Sequence, residues 1–336
     1  METIKWLLAA DPYVAYTTRK NLLNRPDQDL SDLKKMVLND DRIKKQLGIV
    51  ANFSGTLVSN HKNPDLPIHI LMFLMDIGLN REVPEIDQAI QQILGSVDEN
   101  GVYRSVIKVP KSYGGTGEEA LGWFFCDAPL LLLALLRAGV SYEDHVKQGV
   151  DFLVGLQREN GFPCAVSKEL GQWRGPGKKA DPCPYANLTM LRLLAMIPEY
   201  ASSSVAWIAI DALLAQWENS LNAHPYLFYM GTDFRKLKAP AIWFDLVAVC
   251  DCLSQYPQAR SDRRFAQMLA LLETKANDQN QFTPESIYLK TKHWDYGQKK
   301  QPSPWLTYLC LQILKRCGRF GETLDEANDS VIFISG

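Results

Sequence analysis

Five residues that end apolar runs, Gly78, Gly139, Pro198, Pro257 and Gly318, stand 61, 59, 59 and 61 residues apart. Self-similarity at a fixed period is the mark of an architecture built from repeats, and this period accommodates two helices with their turns. The unit reads most clearly between Trp123 and Pro163. Asp127 and Pro129 open a helix that is almost wholly apolar up to Gly139. Ser141-x-x-Asp144 then caps a second helix carrying Val146, Val150, Leu153 and Leu156 on one face. The unit ends on Gln157, Asn160-Gly161 and Phe162.

The other copies follow the same order. Asp11-Pro12 starts a helix running to about Leu23, and Ser31 to Leu47 reads as a more charged one. Asn52 to Pro67 reads as a loop. Leu66 to Ile77 is apolar and Val83 to Leu94 amphipathic; an apolar run from Asp181-Pro-Cys-Pro to Ile197 is followed by Ser202 to Trp217. A further pair starts near Pro240 and continues as Asp262 to Lys275, and Pro304 to Cys317 closes the series. Helices apolar all round belong inside and amphipathic ones outside, which predicts about six inner helices and five outer partners. The expected fold is one all-α domain over residues 1–318, an α/α toroid of α6/α6 type, with 319–336 a weakly patterned tail. An open solenoid is the rival arrangement.

Charge and cysteine narrow the function class. A net charge of -2 excludes a globally basic nucleic-acid binder but leaves room for local patches. Seven cysteines, mostly inside apolar segments, suit a reducing compartment, and Cys250 and Cys252 form no CxxC pair. The apolar stretch after Lys5 is too short for a signal peptide, and Ala128 to Leu136 is far short of the roughly 20 residues of a membrane span. A cytoplasmic protein without transmembrane segments is expected; its oligomeric state is open.

The period, the Gln157-x-x-x-Gly161-Phe162 turn, Trp6-Leu-Leu-x-x-Asp11-Pro12 and Pro302-Ser-Pro-Trp305-Leu-Thr resemble the squalene cyclase and protein prenyltransferase superfamily. Within it the chain looks most like bacterial proteins with prenyltransferase-type repeats. That resemblance spans nearly the whole chain and implies a toroid with a central cavity for an isoprenoid. The chain also departs from the pattern. The D-x-D-D acid cluster of the cyclases is absent. Asp181-Pro-Cys183 matches the first part of the prenyltransferase zinc set, but Phe244 to Leu253, one repeat later, holds no histidine. Two ligands do not make a zinc site, so Asp181 and Cys183 would need His224 or His293 from a loop, and no cofactor is expected.

Three loops that enter inner helices are basic: Arg174, Lys178 and Lys179; Arg235, Lys236 and Lys238; Lys290, Lys292 and His293 with Lys299 and Lys300. If inner-helix N-termini share one mouth, their dipoles add to these charges and make a rim for a diphosphate, carboxylate or other anionic head. Solvated loop lysines are the plain alternative. Cys126, Tyr185, Trp243 and Trp305 fall at equivalent places at helix heads, with Trp294 and Tyr296 in a preceding loop, and these aromatics suit an isoprenoid chain or simply a core. Asp127 and Asp245 are also equivalent, and form a candidate acid–base pair unless each only caps its helix. His61, His69 and His145 lack metal-ligand spacing, and Tyr113-Gly-Gly-Thr-Gly117 reads as a flexible flap rather than a P-loop. The expected function is isoprenoid chemistry of cyclase or prenyltransferase type. A non-catalytic lipid or peptide carrier and a carbohydrate-processing toroid are the alternatives.

Overall fold

The computed structural model describes residues 2–55, 57–58, 60–172, 180–222 and 233–320. The chain is mostly helical. Six apolar helices form its centre: α1 (Pro12–Thr17, continued by a wider turn over Thr18–Leu22), α2 (Pro67–Asp76), α3 (Ala128–Arg137), α4 (Pro184–Leu194), α5 (Leu246–Leu253) and α6 (Pro304–Arg316). Five of them carry proline in the first turn, where its missing N–H costs nothing. Three receive a side-chain cap: the Ala186 N–H donates to Cys183 Sγ at 3.5 Å, the Ala248 N–H to Asp245 Oδ1 at 2.9 Å, and the Leu306 N–H to Ser303 Oγ at 3.1 Å.

Gly78, Gly139 and Gly318 end α2, α3 and α6 with φ of 87°, 75° and 67°. The next residue then donates back into the last turn: Leu79 to Leu74, Val140 to Leu135, and Arg319 to Leu314. A Cβ at Gly139 would meet no heavy atom within 4 Å, so only backbone strain opposes a side chain there. Gly139→Ala is therefore expected to cost about 1 kcal/mol. Gly78→Ala should cost more, because its Cβ would lie 3.0 Å from the Tyr16 ring. Parallel urea melts of the two variants check this order.

Each central helix packs on the next in sequence, and α6 returns to α1. Contacts run from α2 to α3, α3 to α4, α4 to α5, α5 to α6 and α6 to α1. The Tyr13 and Phe73 rings, 6.0 Å apart, join α1 to α2. Ion pairs tie neighbours at their C-terminal ends: Arg137 to Asp76 and Arg316 to Asp251, each at 2.6 Å. Lys315 Nζ donates to the Asn21 and Leu22 carbonyls at 3.0 and 2.9 Å, joining α6 to the end of α1. Amphipathic helices over Asp41–Val50, Lys147–Val154 and Arg263–Glu273 cover α2, α3 and α5, the more apolar Ser204–Glu218 covers α4, and Pro84–Leu94 also touches α3.

Two of the turns that end units are built in the same way. Asn187 Oδ1 accepts the Phe162 N–H at 2.9 Å, and Thr307 Oγ1 accepts the Phe282 N–H at 2.9 Å. The Phe162 and Phe282 carbonyls accept from Cys183 and Ser303, the residues that cap α4 and α6. Gln157 Nε2 donates to the Val205 carbonyl, tying one outer layer to the next.

Three expectations need correction. Ser31 to Leu47 is not one helix: Asp40 leaves helical geometry and accepts the Arg42 N–H at 2.8 Å, dividing Ser31–Asn39 from Asp41–Val50. The pair expected near Pro240 begins only at Leu246, because an irregular segment with a cis Ala239–Pro240 bond precedes it. The loops are not wholly irregular: β1 (Leu57–Val58) pairs in parallel with β2 (Ser105–Lys108), which pairs antiparallel with β3 (Glu119–Gly122). The glycine-rich Tyr113 to Gly117 stretch is the turn of that hairpin. No helix among the described residues is long and apolar enough to cross a membrane.

Candidate functional site

The residues that precede α3, α4 and α5 come together with two loops, and buried polar atoms without partners concentrate there. His61 Nε2, Asp127 Oδ2, Tyr185 Oη and Asp245 Oδ2 are all buried and accept or donate no hydrogen bond. Each such atom costs about 1–3 kcal/mol in an otherwise well-packed interior, so a cluster of them marks a place shaped for something polar.

Asp127 is fully buried at the head of α3. It does not cap the helix through its side chain. Its Oδ1 instead accepts the Phe124 N–H at 2.8 Å, which fixes the turn before the helix and leaves Oδ2 free. That oxygen faces His61 Nε2 at 3.9 Å, beyond hydrogen-bond range. The His61 ring sits edge-on to Phe124 at 5.0 Å. Its loop is held by His69, whose Nε2 lies 2.7 Å from the His61 carbonyl. Burial pulls the His69 imidazole down to about 3, so at neutral pH it is uncharged, and since a carbonyl can only accept, Nε2 carries the hydrogen.

Asp245, two helices away, combines two roles. Its Oδ1 caps α5, while its Oδ2 has no partner. Burial pushes its carboxyl up to about 8, against the Ala248 N–H and Lys238, which both favour the charged form. The acid is therefore largely protonated at neutral pH and offers an O–H from the free oxygen. Lys238 Nζ stands 3.5 Å from the Tyr288 ring centroid, and Lys62 Nζ stands 4.7 Å from that of Trp243. Burial lowers both ammonium groups, and Lys62 and Lys236 further lower Lys238. Trp243 and Tyr185 rings lie 4.2 Å apart, bridging the heads of α5 and α4. Tyr185 in turn feels Asp127, and Tyr288 feels both Asp245 and Tyr185. The two carboxyl groups thus lie near one set of aromatic rings, with Lys238 over Tyr288 and Lys62 over Trp243.

The remaining expected site residues fall elsewhere. Trp294 and Trp305 pack with Tyr13 and Phe73 between α1, α2 and α6, at centroid separations of 5.2 to 5.5 Å. His293 is exposed beside Trp294, where burial, Lys45 and Arg42 lower its pKa. Arg235 turns to the outer layer, lying 4.5 Å over the Trp217 ring and donating to Ser220 Oγ and the Trp217 carbonyl. Lys236 is half-buried, and its carbonyl accepts the Leu246 N–H. Arg174, Lys178, Lys179 and His224 lie outside the described residues; of the other expected basic residues Lys238 stands beside Tyr288, joined by Lys62, while Lys290 pairs with Asp65 at 2.8 Å.

Asp181 and Cys183 gain no third metal-binding partner among the described residues. Among the described residues no group of three or more His, Cys, Asp or Glu is placed to hold a metal ion. Cys183 is a helix cap that also hydrogen-bonds Cys164, and that bond and burial raise its thiol well above the usual range. Burial, Cys164 and Asp127 do the same to Cys126. These thiols stay protonated and are poor nucleophiles.

His61, Lys62 and Tyr288 were not singled out as ligand-binding from the sequence. They lie in aperiodic loops, and no spacing rule relates them to α3 or α5. Comparison with family models finds none that matches the chain, and comparison with curated proteins finds no relative.

Proposed function

We propose that residues 1–318 form a single α/α toroid, and that the heads of α3, α4 and α5 make an acid–base site for an isoprenoid or similar apolar ligand with an anionic head. The return of α6 onto α1 supports a closed ring over an open solenoid. The observation that carries the functional reading is the Asp245 carboxyl, buried and unbonded at Oδ2 near Tyr288, which burial pushes up to about 8. A carboxyl kept neutral by burial is the kind of acid that protonates a weakly basic substrate, and the Tyr185, Trp243 and Tyr288 rings offer π faces to the positive charge such a step creates. Lys62 and Lys238 supply attraction for an anionic head. Asp127, the second carboxyl near Tyr185, offsets the positive charge that such a step creates.

The test is incubation with C15 and C20 prenyl diphosphates, measuring binding by calorimetry and products by mass spectrometry. Asp245→Asn is expected to bind within about threefold of wild type and to lose at least about 100-fold in turnover, the usual contribution of a general acid. Equal turnover by Asp245→Asn removes it as the acid. Binding abolished by Lys238→Glu, with no product from wild type, replaces the enzyme by a carrier using the same site.

A further inference from the structure

We infer that His61 and Asp127 together bind one water molecule and activate it, so that the reaction at this site ends with water adding to the substrate. This rests on the acid–base reading of Asp245 and names the co-substrate of that site.

The geometry is that of a gap built for one small donor. His61 Nε2 and Asp127 Oδ2 are both buried, both without a partner, and 3.9 Å apart. They do not bond each other, since a charge-assisted N–H···O contact closes to about 2.7–2.9 Å. With its hydrogen on Nδ1, His61 presents a lone pair at Nε2, and that nitrogen and the Asp127 oxygen are together satisfied by one water molecule donating a hydrogen to each. A ligand hydroxyl has one hydrogen and leaves one of the two atoms unmet. A buried water needs two to four polar partners, and the phenol of Tyr185, with its own oxygen unbonded, lies within electrostatic reach of Asp127.

Neither acceptor is free to turn away. Asp127 is held through Oδ1 by the Phe124 N–H, and the His61 loop is held by His69 Nε2–H on the His61 carbonyl. His69 is itself enclosed in α2, so a neutral histidine positions the loop that carries the reactive one. His61 Nε2 thus faces Asp127 Oδ2 across 3.9 Å from a loop whose backbone is held in place.

The chemistry balances without a further reagent. Asp245 gives its proton to one carbon of a substrate double bond, forming a C–H bond and leaving the other carbon cationic. The water oxygen bonds to that carbon with its lone pair, one O–H bond breaks, and the proton passes to His61 Nε2. The carboxylate of Asp127 offsets the imidazolium charge. Solvent then returns the proton to Asp245, and the net change is the addition of water to an alkene, giving an alcohol.

The experiment pairs a ligand-free crystal structure with product analysis in H2-18O, on wild type and His61→Phe, which keeps a ring against Phe124 but removes Nε2. Wild type is expected to show one ordered water within about 3.2 Å of both atoms, absent in the variant. With a C15 prenyl diphosphate, the wild-type alcohol is expected to carry 18O, and His61→Phe to form it at least 100-fold more slowly while binding the diphosphate normally. An empty gap, or Nε2 and Oδ2 in direct contact, overturns the inference. So does a wild-type product without 18O, which leaves Asp245 as an acid but makes His61 a bystander. An ordered water with no product at all counts against the acid assignment and supports the water site.

Discussion

Replacing Asp295 by alanine is expected to lower the free energy of unfolding by about 3–6 kcal/mol, since three donors lose their acceptor at about 1–3 kcal/mol each after partial relief by water. Tyr13 Oη donates to Oδ1 at 2.6 Å, while Ser303 Oγ and the Trp305 N–H donate to Oδ2 at 2.5 and 2.9 Å. Tyr13 belongs to the first central helix and Ser303 and Trp305 to the head of the last, so this carboxylate joins elements at opposite ends of the chain. Around it the Tyr13, Phe73, Trp294 and Trp305 rings lock together, with Arg42 stacked 5.0 Å over Trp294. Asp295→Asn should cost far less, about 1–2 kcal/mol, because its carbonyl oxygen can keep the two donors on the Oδ2 side. Urea unfolding followed by tryptophan fluorescence reads both. A loss under about 1 kcal/mol for the alanine variant would mean that the first and last helices hold together without this link.

That link also shows where sequence reading reaches its limit. The helices were legible because their causes are local: prolines in first turns, Gly78, Gly139 and Gly318 at positive φ, and apolar runs too continuous to be exposed. Asp127 and Asp245 were legible as equivalents by counting along a repeat, and both carry a buried, unpaired oxygen. Their different environments were not legible. Asp127 bonds backward to Phe124 and faces a histidine from a loop, whereas Asp245 bonds forward into α5 and faces Lys238. Those differences come from loops without a period, held by long-range contacts such as His69 on the His61 carbonyl. Trp294 and Trp305 show the converse. Their repeat positions were right, but position along a helix does not tell whether a ring faces a ligand or another ring, and here each faces several.

The second large effect is on the pH dependence of stability, and it comes from Asp245. Its carboxyl lies at about 8 in the folded chain against 3.8 for an exposed aspartate, because burial disfavours the charged form. The folded state therefore holds a proton that the unfolded state has already released, and stability must fall as pH rises from about 4 to about 8. The contribution is fully present below about 4 and lost above about 8. Lys238 acts oppositely and later: its depressed ammonium adds stability as pH rises between its folded value and 10.5. Because the two groups share their charges, a loss on the order of 3 kcal/mol between pH 5 and pH 8 is expected rather than the full linkage value. Asp245→Asn keeps a carbonyl oxygen for the Ala248 N–H and removes the titration. The variant should therefore be nearly level with wild type at pH 5 and more stable by a similar margin at pH 8. Thermal melts at half-unit steps from pH 5 to 9 give the comparison. Parallel curves for the two proteins would show that Asp245 is ionised throughout this range, and the acid that the proposed reaction needs would have to be sought in another residue.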